Sequence, residues 1–205
     1  MQRIQRAVGA VVGSAVGDAL GGPFEFGPRG AFSARFPIPG AGGEMCGGGG
    51  WDPGEATDDT QMTVLVAESL LERGGLDLPD IFARFQRWAA AEPKDIGLQT
   101  EDVLTNGMPW DLAAAIHFQV WPCLGSVVWA LRTTAGFEDA IRAAIDLGGD
   151  TDTVAAVTGG LAGAYYGLDA IPAHWTQPLH VPLPGFDGRV LRLADLLHLA
   201  HRLGG

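Results

Sequence analysis

Cysteine is nearly absent: Cys46 and Cys123 are the only two in 205 residues. So thin a supply excludes a scaffold built on disulfides and fits a reducing, cytoplasmic setting. Basic residues are scarce as well, with 13 Lys and Arg against 24 Asp and Glu, a formal net charge of −11. That balance excludes the electrostatic footprint that nucleic acid or an anionic membrane surface requires, so neither is expected as a partner. Alternating apolar and polar runs of useful length are missing too. The stretch "HVPLPG" near residue 180 is too rich in proline to read as a strand.

What is present is apolar and helical. Hydrophobic residues make up 47% of the chain, enough for a sizeable core in one domain over 1–205. The periodicity predicts helices over roughly 2–20, 58–73, 78–91, 98–106, 110–119, 124–134, 137–147, 151–167 and 189–203. Start signals support several of these: Thr57 or Asp58, Pro79 in a first turn, and Asp150 or Thr151 before an apolar run. The N-terminal "MQRIQRAVGAVVGSAVGDALGG" mimics a secretory leader, with two arginines before an apolar run. Its glycines at 9, 13, 17 and 21 repeat every four residues, however, and Asp18 interrupts it well short of a bilayer span. It reads as a buried, close-packed helix. Gly159, Gly163 and Gly167 carry the same spacing late in the chain, so these two helices are expected to cross in the core.

Residues 22–56 form a long Gly- and Pro-rich segment, and a loop of that length inside a compact domain is usually functional. Phe24, Phe26, Phe32, Phe36 and Trp51 are anchors that a solvated linker would lack, so the segment is expected to pack over the helices. Its "GGGGW" is neither a P-loop nor a dinucleotide fingerprint. The four tryptophans Trp110, Trp121, Trp129 and Trp175 read as packing residues. His198 and His201 read as helix-end histidines, and His117, His174 and His180 are assigned no chemistry. Asp18 reads as a packing residue of the first helix, with capping of that helix's end or support of the cleft as the alternatives.

Two clusters carry the chemistry: "PGEATDDTQMT" and "LGGDTDTVAAVTGG". Each sits at the start of a helix, where unpaired backbone N–H groups and the helix dipole favour carboxylates. A cap consumes one side chain or two. Thr57, Asp58 and Asp59 together with Asp150, Asp152 and Thr153 supply four carboxylates and two hydroxyls, more than capping absorbs if the two starts meet. Hard divalent ions do absorb such charge, and neither cluster holds a His or Cys for zinc. Four carboxylates balance two such ions, whether Mg²⁺, Mn²⁺ or Ca²⁺, so a binuclear centre that orients oxygens and activates water is the expectation.

Together with "GSAVGDALGGPFEF", these stretches resemble the conserved blocks of the ADP-ribosylglycohydrolases, in the same order, and "KDIGLQTEDVL" is similar to a fourth, weaker block. The resemblance implies an all-α orthogonal bundle with a central metal cleft. It implies that Thr57, Asp58, Asp59, Asp150, Asp152 and Thr153 ligate two Mg²⁺ or Mn²⁺ ions. It implies that Glu25 sits beside the ions and the ribose, that Glu25 or Asp59 acts as base or positions the water, and that Gly97 lies near substrate. The reaction implied is hydrolysis of the bond between the distal ribose C1 of ADP-ribose and a protein side chain or small acceptor. Relatives carry a further block between "DIG" and the last Asp cluster, and it is missing here after about residue 120. A non-catalytic member that keeps the fold, and a metal-dependent phosphoesterase that cuts the pyrophosphate, are the alternatives.

Overall fold

The computed structural model describes residues 3–109 and 121–205. The helix expected over 110–119, with Trp110 and His117, lies outside the described residues, as does the Trp121 side chain. The protein is built on one long helix, α1 (Arg3–Gly21), which runs into a 3₁₀ turn at Gly22–Phe24. After it come α2 (Ala31–Arg35), α3 (Asp58–Arg73), α4 (Leu78–Ala89), α5 (Leu98–Thr105), α6 (Trp121–Thr133), α7 (Phe137–Ile145) and α8 (Thr151–Tyr166). A short α9 (Ala173–Thr176), two strands and α10 (Leu193–Gly204) complete the chain.

The four-residue glycine spacing governs the core. A Cβ on Gly9, Gly13, Gly17 or Gly21 would overlap the carbonyl oxygen of Gly163, Gly159, Ala155 or Thr151 respectively. In each pair the two residue numbers move in opposite directions, so α1 and α8 are antiparallel and in backbone contact for three turns, as their spacing predicted. Side chains there would hold the axes apart, and ordinary helix pairs sit 8–10 Å from each other. α10 lies against another flank of α1, while α6 and α7 cover α8. α1 is apolar and long enough to cross a membrane, but 67% of its most apolar window is buried inside this fold.

The segment 22–56 packs as expected. Phe24, Phe32 and Phe36 form an edge-to-face cluster with centroids 5.2–6.3 Å apart, and Arg142 of α7 lies over Phe32. Ser33 N–H donates to the Asp146 carboxylate at 3.0 Å, fixing α2 to the end of α7. Phe26 departs from the expectation: it is 83% exposed, with φ +58°. Trp129 also departs, being 47% exposed, whereas Trp175 is fully buried.

The expectation of no strand fails at the C-terminus. β1 (His180–Pro182) pairs antiparallel with β2 (Val190–Arg192), so the last helix begins at Leu193 instead of 189. Three-residue strands are too short to show periodicity, and Pro182 stands at a strand end where a missing N–H is tolerated. The hairpin matters for the site. Its His180 donates N–H to Gly54 O at 2.8 Å and accepts from Ala56 N–H at 2.9 Å, pinning the chain that enters α3.

Candidate active site

The α1–α8 register delivers the end of α1 to the start of α8, and the loop after α1 ties the two more closely. Phe26 N–H donates to Gly149 O at 2.8 Å. This places Asp18 and Glu25 beside Asp152. The second acidic cluster enters from α3, and Thr153 Oγ1 donates to Asp59 Oδ2 at 3.0 Å. The two Asp/Thr helix starts therefore meet.

Capping does not explain them. Thr57 and Asp150 occupy the N-cap positions of α3 and α8, and neither side chain makes a capping hydrogen bond. The cap of α3 comes instead from α1. The fully buried Asp18 carboxylate accepts from Thr57 N–H at 3.1 Å, from Thr57 Oγ1 at 2.5 Å and from Thr60 N–H at 3.0 Å, with Thr60 Oγ1 a fourth donor. Asp18, read from sequence as a packing residue, thus holds the start of α3 in the site.

Carboxylate oxygens of Asp18, Asp59 and Asp152 lie within 4.8 Å of one another, and so do those of Glu25, Asp95 and Asp152. Asp152 belongs to both triads. Asp58 faces Asp95 and hydrogen-bonds the Gly97 backbone, and the exposed Asp150 lies close enough to repel Glu25 and Asp59. Neither Asp58 nor Asp150 completes a triad among the described residues, and Asp18 and Asp95 stand there instead. Asp18, whose support of the cleft was the less favoured reading, and Asp95, which was not singled out, lie in the quoted "GDALG" and "KDIG" stretches. Their roles depend on which helix ends meet, which no local pattern shows. Cys123, at the start of α6, is also at this site: its thiol is pushed up by burial and by the charges of Asp150 and Asp59.

The carboxyls titrate as a crowded, desolvated set. Burial, then repulsion from Glu25, Asp18 and Asp59, pushes Asp152 up to about 9. Burial, then Asp18 and Asp58, pushes Asp59 up to about 8. Glu25 rises to about 7 by burial and by Asp95, Asp150, Asp58 and Asp18. Asp18 rises only to about 6, because the threonine hydrogen bonds oppose its burial. No Arg, Lys or His belongs to either triad, so the crowded charge is relieved by bound protons or by a cation. The donor set is all oxygen, with the Thr153 hydroxyl adjoining, and it suits Mg²⁺, Mn²⁺ or Ca²⁺ rather than zinc.

A cleft of about 540 Å³ opens beside the triads, lined by Glu25, Phe26, Gly49, Gly50, Trp51, Lys94 and Asp95. Lys94 is the chain's single lysine. Its ammonium bonds Glu55 Oε2 at 2.7 Å and Gly50 O at 3.3 Å, and lies over the Trp51 ring. It fastens the glycine-rich loop to the segment that bears Asp95 and Gly97. A separate group, Asp52, Glu55 and His180, has oxygen and nitrogen atoms within 4.8 Å, but Lys94 already supplies its positive charge. His198 and His201 join no metal-type group among the described residues.

The profile of the ADP-ribosylglycohydrolase family matches residues 1–116 and 110–204. The ADP-ribosyl-[dinitrogen reductase] glycohydrolase of Rhodospirillum rubrum is 27% identical over 286 aligned positions, covering 94% of this chain and 95% of the relative. The ADP-ribosylarginine hydrolase Tri1 of Serratia proteamaculans is 25% identical over 286 positions, covering 87% and 76%. A solved ADP-ribosylglycohydrolase-related protein complex superposes with a TM-score of 0.70 at 28% identity over 98% of both chains. Alignments of 286 positions exceed the 205 residues present, so these relatives carry a segment that this chain lacks, and the profile breaks at 110–116. On the match across both pieces and the helical architecture that goes with it, this chain belongs to the ADP-ribosylglycohydrolase family.

Proposed function

We propose that the protein is a divalent-cation-dependent hydrolase of the N- or O-glycosidic bond between ADP-ribose and a protein side chain or small acceptor. The carrying observation is the pair of carboxylate triads that share Asp152 at the mouth of a cleft. Asp18, Asp59 and Asp152 on one side, and Glu25, Asp95 and Asp152 on the other, would hold two Mg²⁺ or Mn²⁺ ions. Asp58, Asp150, Thr57 and Thr153 complete the surrounding oxygen set. Ions bound there supply Lewis acidity toward the oxygens of the ribose and of the attacking water.

The chain's own groups do the rest. The cleft admits the distal ribose beside Glu25 and Asp95, with Trp51 and Phe26 as its walls. Gly97, whose backbone bonds Asp58, sets the floor near the sugar. As the C1 bond breaks, positive charge builds on the ribose ring, and the clustered carboxylates stabilise it. Glu25, titrating near neutrality and reached from the cleft, takes the proton of the water, and Asp59, fixed by Thr153, orients it. A cytoplasmic location accords with the two free cysteines.

The test is calorimetric titration of chelator-treated protein with ADP-ribose, with and without Mn²⁺, followed by product analysis on an ADP-ribosylated substrate. Cation-dependent binding with release of ADP-ribose, abolished in Asp58→Asn and Asp152→Asn variants that remain folded, is the expected result. Release of AMP would mean pyrophosphate cleavage. The shortfall against relatives favours one second reading, binding without hydrolysis, which would give tight titration and no product.

A further inference from the structure

The loop that brings Glu25 to the cleft is a tight turn from Phe24 to Gly27, closed by Gly27 N–H donating to Phe24 O at 2.9 Å. Glu25 has φ −55° and ψ 138°, and Phe26 has φ +58°, the backbone of a type II turn. Such a turn needs a positive φ at its third residue, a place for glycine or asparagine. Here a phenylalanine holds it, in a conformation that disfavours a bulky side chain. Backbone bonds enforce the shape: Phe26 N–H donates to Gly149 O at 2.8 Å, and Gly149 N–H donates to Gly27 O at 3.4 Å. The ring itself is 83% exposed and lines the cleft beside Glu25. Packing of this segment falls instead to the cluster of Phe24, Phe32 and Phe36. A strained backbone and exposed apolar bulk thus coincide at one residue of the cleft, and strain retained at such a place points to function.

We propose that Phe26 is a specificity-determining residue whose ring covers the protein side chain bonded to the ribose C1, an assignment that rests on the hydrolase reading above. Glu25 acts at C1 in that reading, and Phe26 is its neighbour on the same cleft. The group within reach of the ring is therefore the one attached to C1, since the adenine lies a diphosphate and a second ribose away. Glu25 and Asp95 beside it repel the diphosphate, which leaves this part of the cleft to the acceptor. The ring offers no hydrogen bond, so it takes the apolar stem of the acceptor by burying it from water. Trp51 differs: it is 8% exposed and lies under the Lys94 ammonium, so it forms the deep wall while Phe26 stands at the rim.

The test compares wild type with Phe26→Ala, Phe26→Gly and Phe26→Tyr in Mn²⁺, on one peptide ADP-ribosylated at arginine and one at serine. Calorimetric titration with free ADP-ribose, which lacks the acceptor, runs alongside. On whichever peptide wild type cleaves, Phe26→Ala and Phe26→Gly should raise KM by about tenfold or more with kcat held within about threefold, and Phe26→Tyr should restore KM. The Kd for free ADP-ribose should stay within about twofold of wild type in all three. Melting temperatures should change by no more than about 2 °C, because the ring is exposed and glycine suits the positive φ. An unchanged KM overturns the assignment alone, and so does an equal loss of affinity for free ADP-ribose, which would make the ring a ribose contact only. A large fall in the melting temperature of Phe26→Gly overturns it too, since the residue would then serve the fold. A wild type that binds ADP-ribose and cleaves neither peptide overturns the hydrolase reading and this assignment with it.

Discussion

The crowded carboxyls make stability depend on pH in a direction opposite to that of a salt-bridged acid. Asp152 and Asp59 are pushed to about 9 and about 8, so the folded state holds protons that the unfolded chain releases above about pH 4. Where the native state binds more protons, stability falls as pH rises, by about 1.4 kcal/mol per unit for each such carboxyl. Asp152 is 3% exposed, so solvent screens it little. Between about pH 5 and 8 one such group costs about 4 kcal/mol, and the pair costs less than twice that because their repulsion is mutual. Against a total of about 5–15 kcal/mol this is large. At about 2–4 °C per kcal/mol for a chain of this size, the melting temperature in chelator should fall by roughly 10–30 °C over that range. Mn²⁺ at about a hundred times its Kd should restore about 2.7 kcal/mol per site, with the larger gain at high pH, where it need not displace protons. Scanning fluorimetry with chelator or Mn²⁺ reads both effects. Asp152→Asn separates them from general repulsion in an acidic chain. The variant should melt higher than wild type in chelator at about pH 8, show a flatter pH profile, and respond far less to Mn²⁺. A wild-type profile that is flat or rises with pH, or an Asp152→Asn profile as steep as wild type, would refute the reasoning.

Three other perturbations probe the frame around the site. Gly163→Ala places a Cβ on the Gly9 carbonyl and should cost about 1–3 kcal/mol in denaturant unfolding, while an unchanged midpoint would mean that the helices are not in backbone contact. Asp18→Ala strips the acceptor from the N–H and hydroxyl donors of Thr57 and Thr60, so stability should drop by about 1–3 kcal/mol at about pH 5. At about pH 8 the relief of repulsion on Asp59 and Asp152 should shrink that loss, and equal losses at both pH values would count against Asp18 as part of the charged cluster. Lys94→Gln frees the glycine-rich loop from Glu55 and Gly50, and should raise KM several-fold with little change in kcat. An equal fall in kcat and kcat/KM would instead put Lys94 in the transition state.

The sequence alone determined the helical class, pointed to the α1–α8 partnership and marked two acidic helix starts, whose meeting only the structure supplied. Glycines every four residues remove side chains from one helix face, and two such faces pack most closely against each other. Paired Asp/Thr clusters exceed what a cap consumes, so their excess charge was legible without coordinates. The anchors Phe24, Phe32 and Trp51 were legible for the same kind of reason, since apolar bulk in a glycine-rich segment must be buried somewhere. Tertiary structure alone decided which carboxylate oxygens converge. Asp18 and Asp95 join Glu25, Asp59 and Asp152 in the triads because the α1–α8 register and the Lys94 tether set which helix ends face inward, and neither is a property of neighbours in sequence. The β1–β2 hairpin was illegible because three residues hold no period.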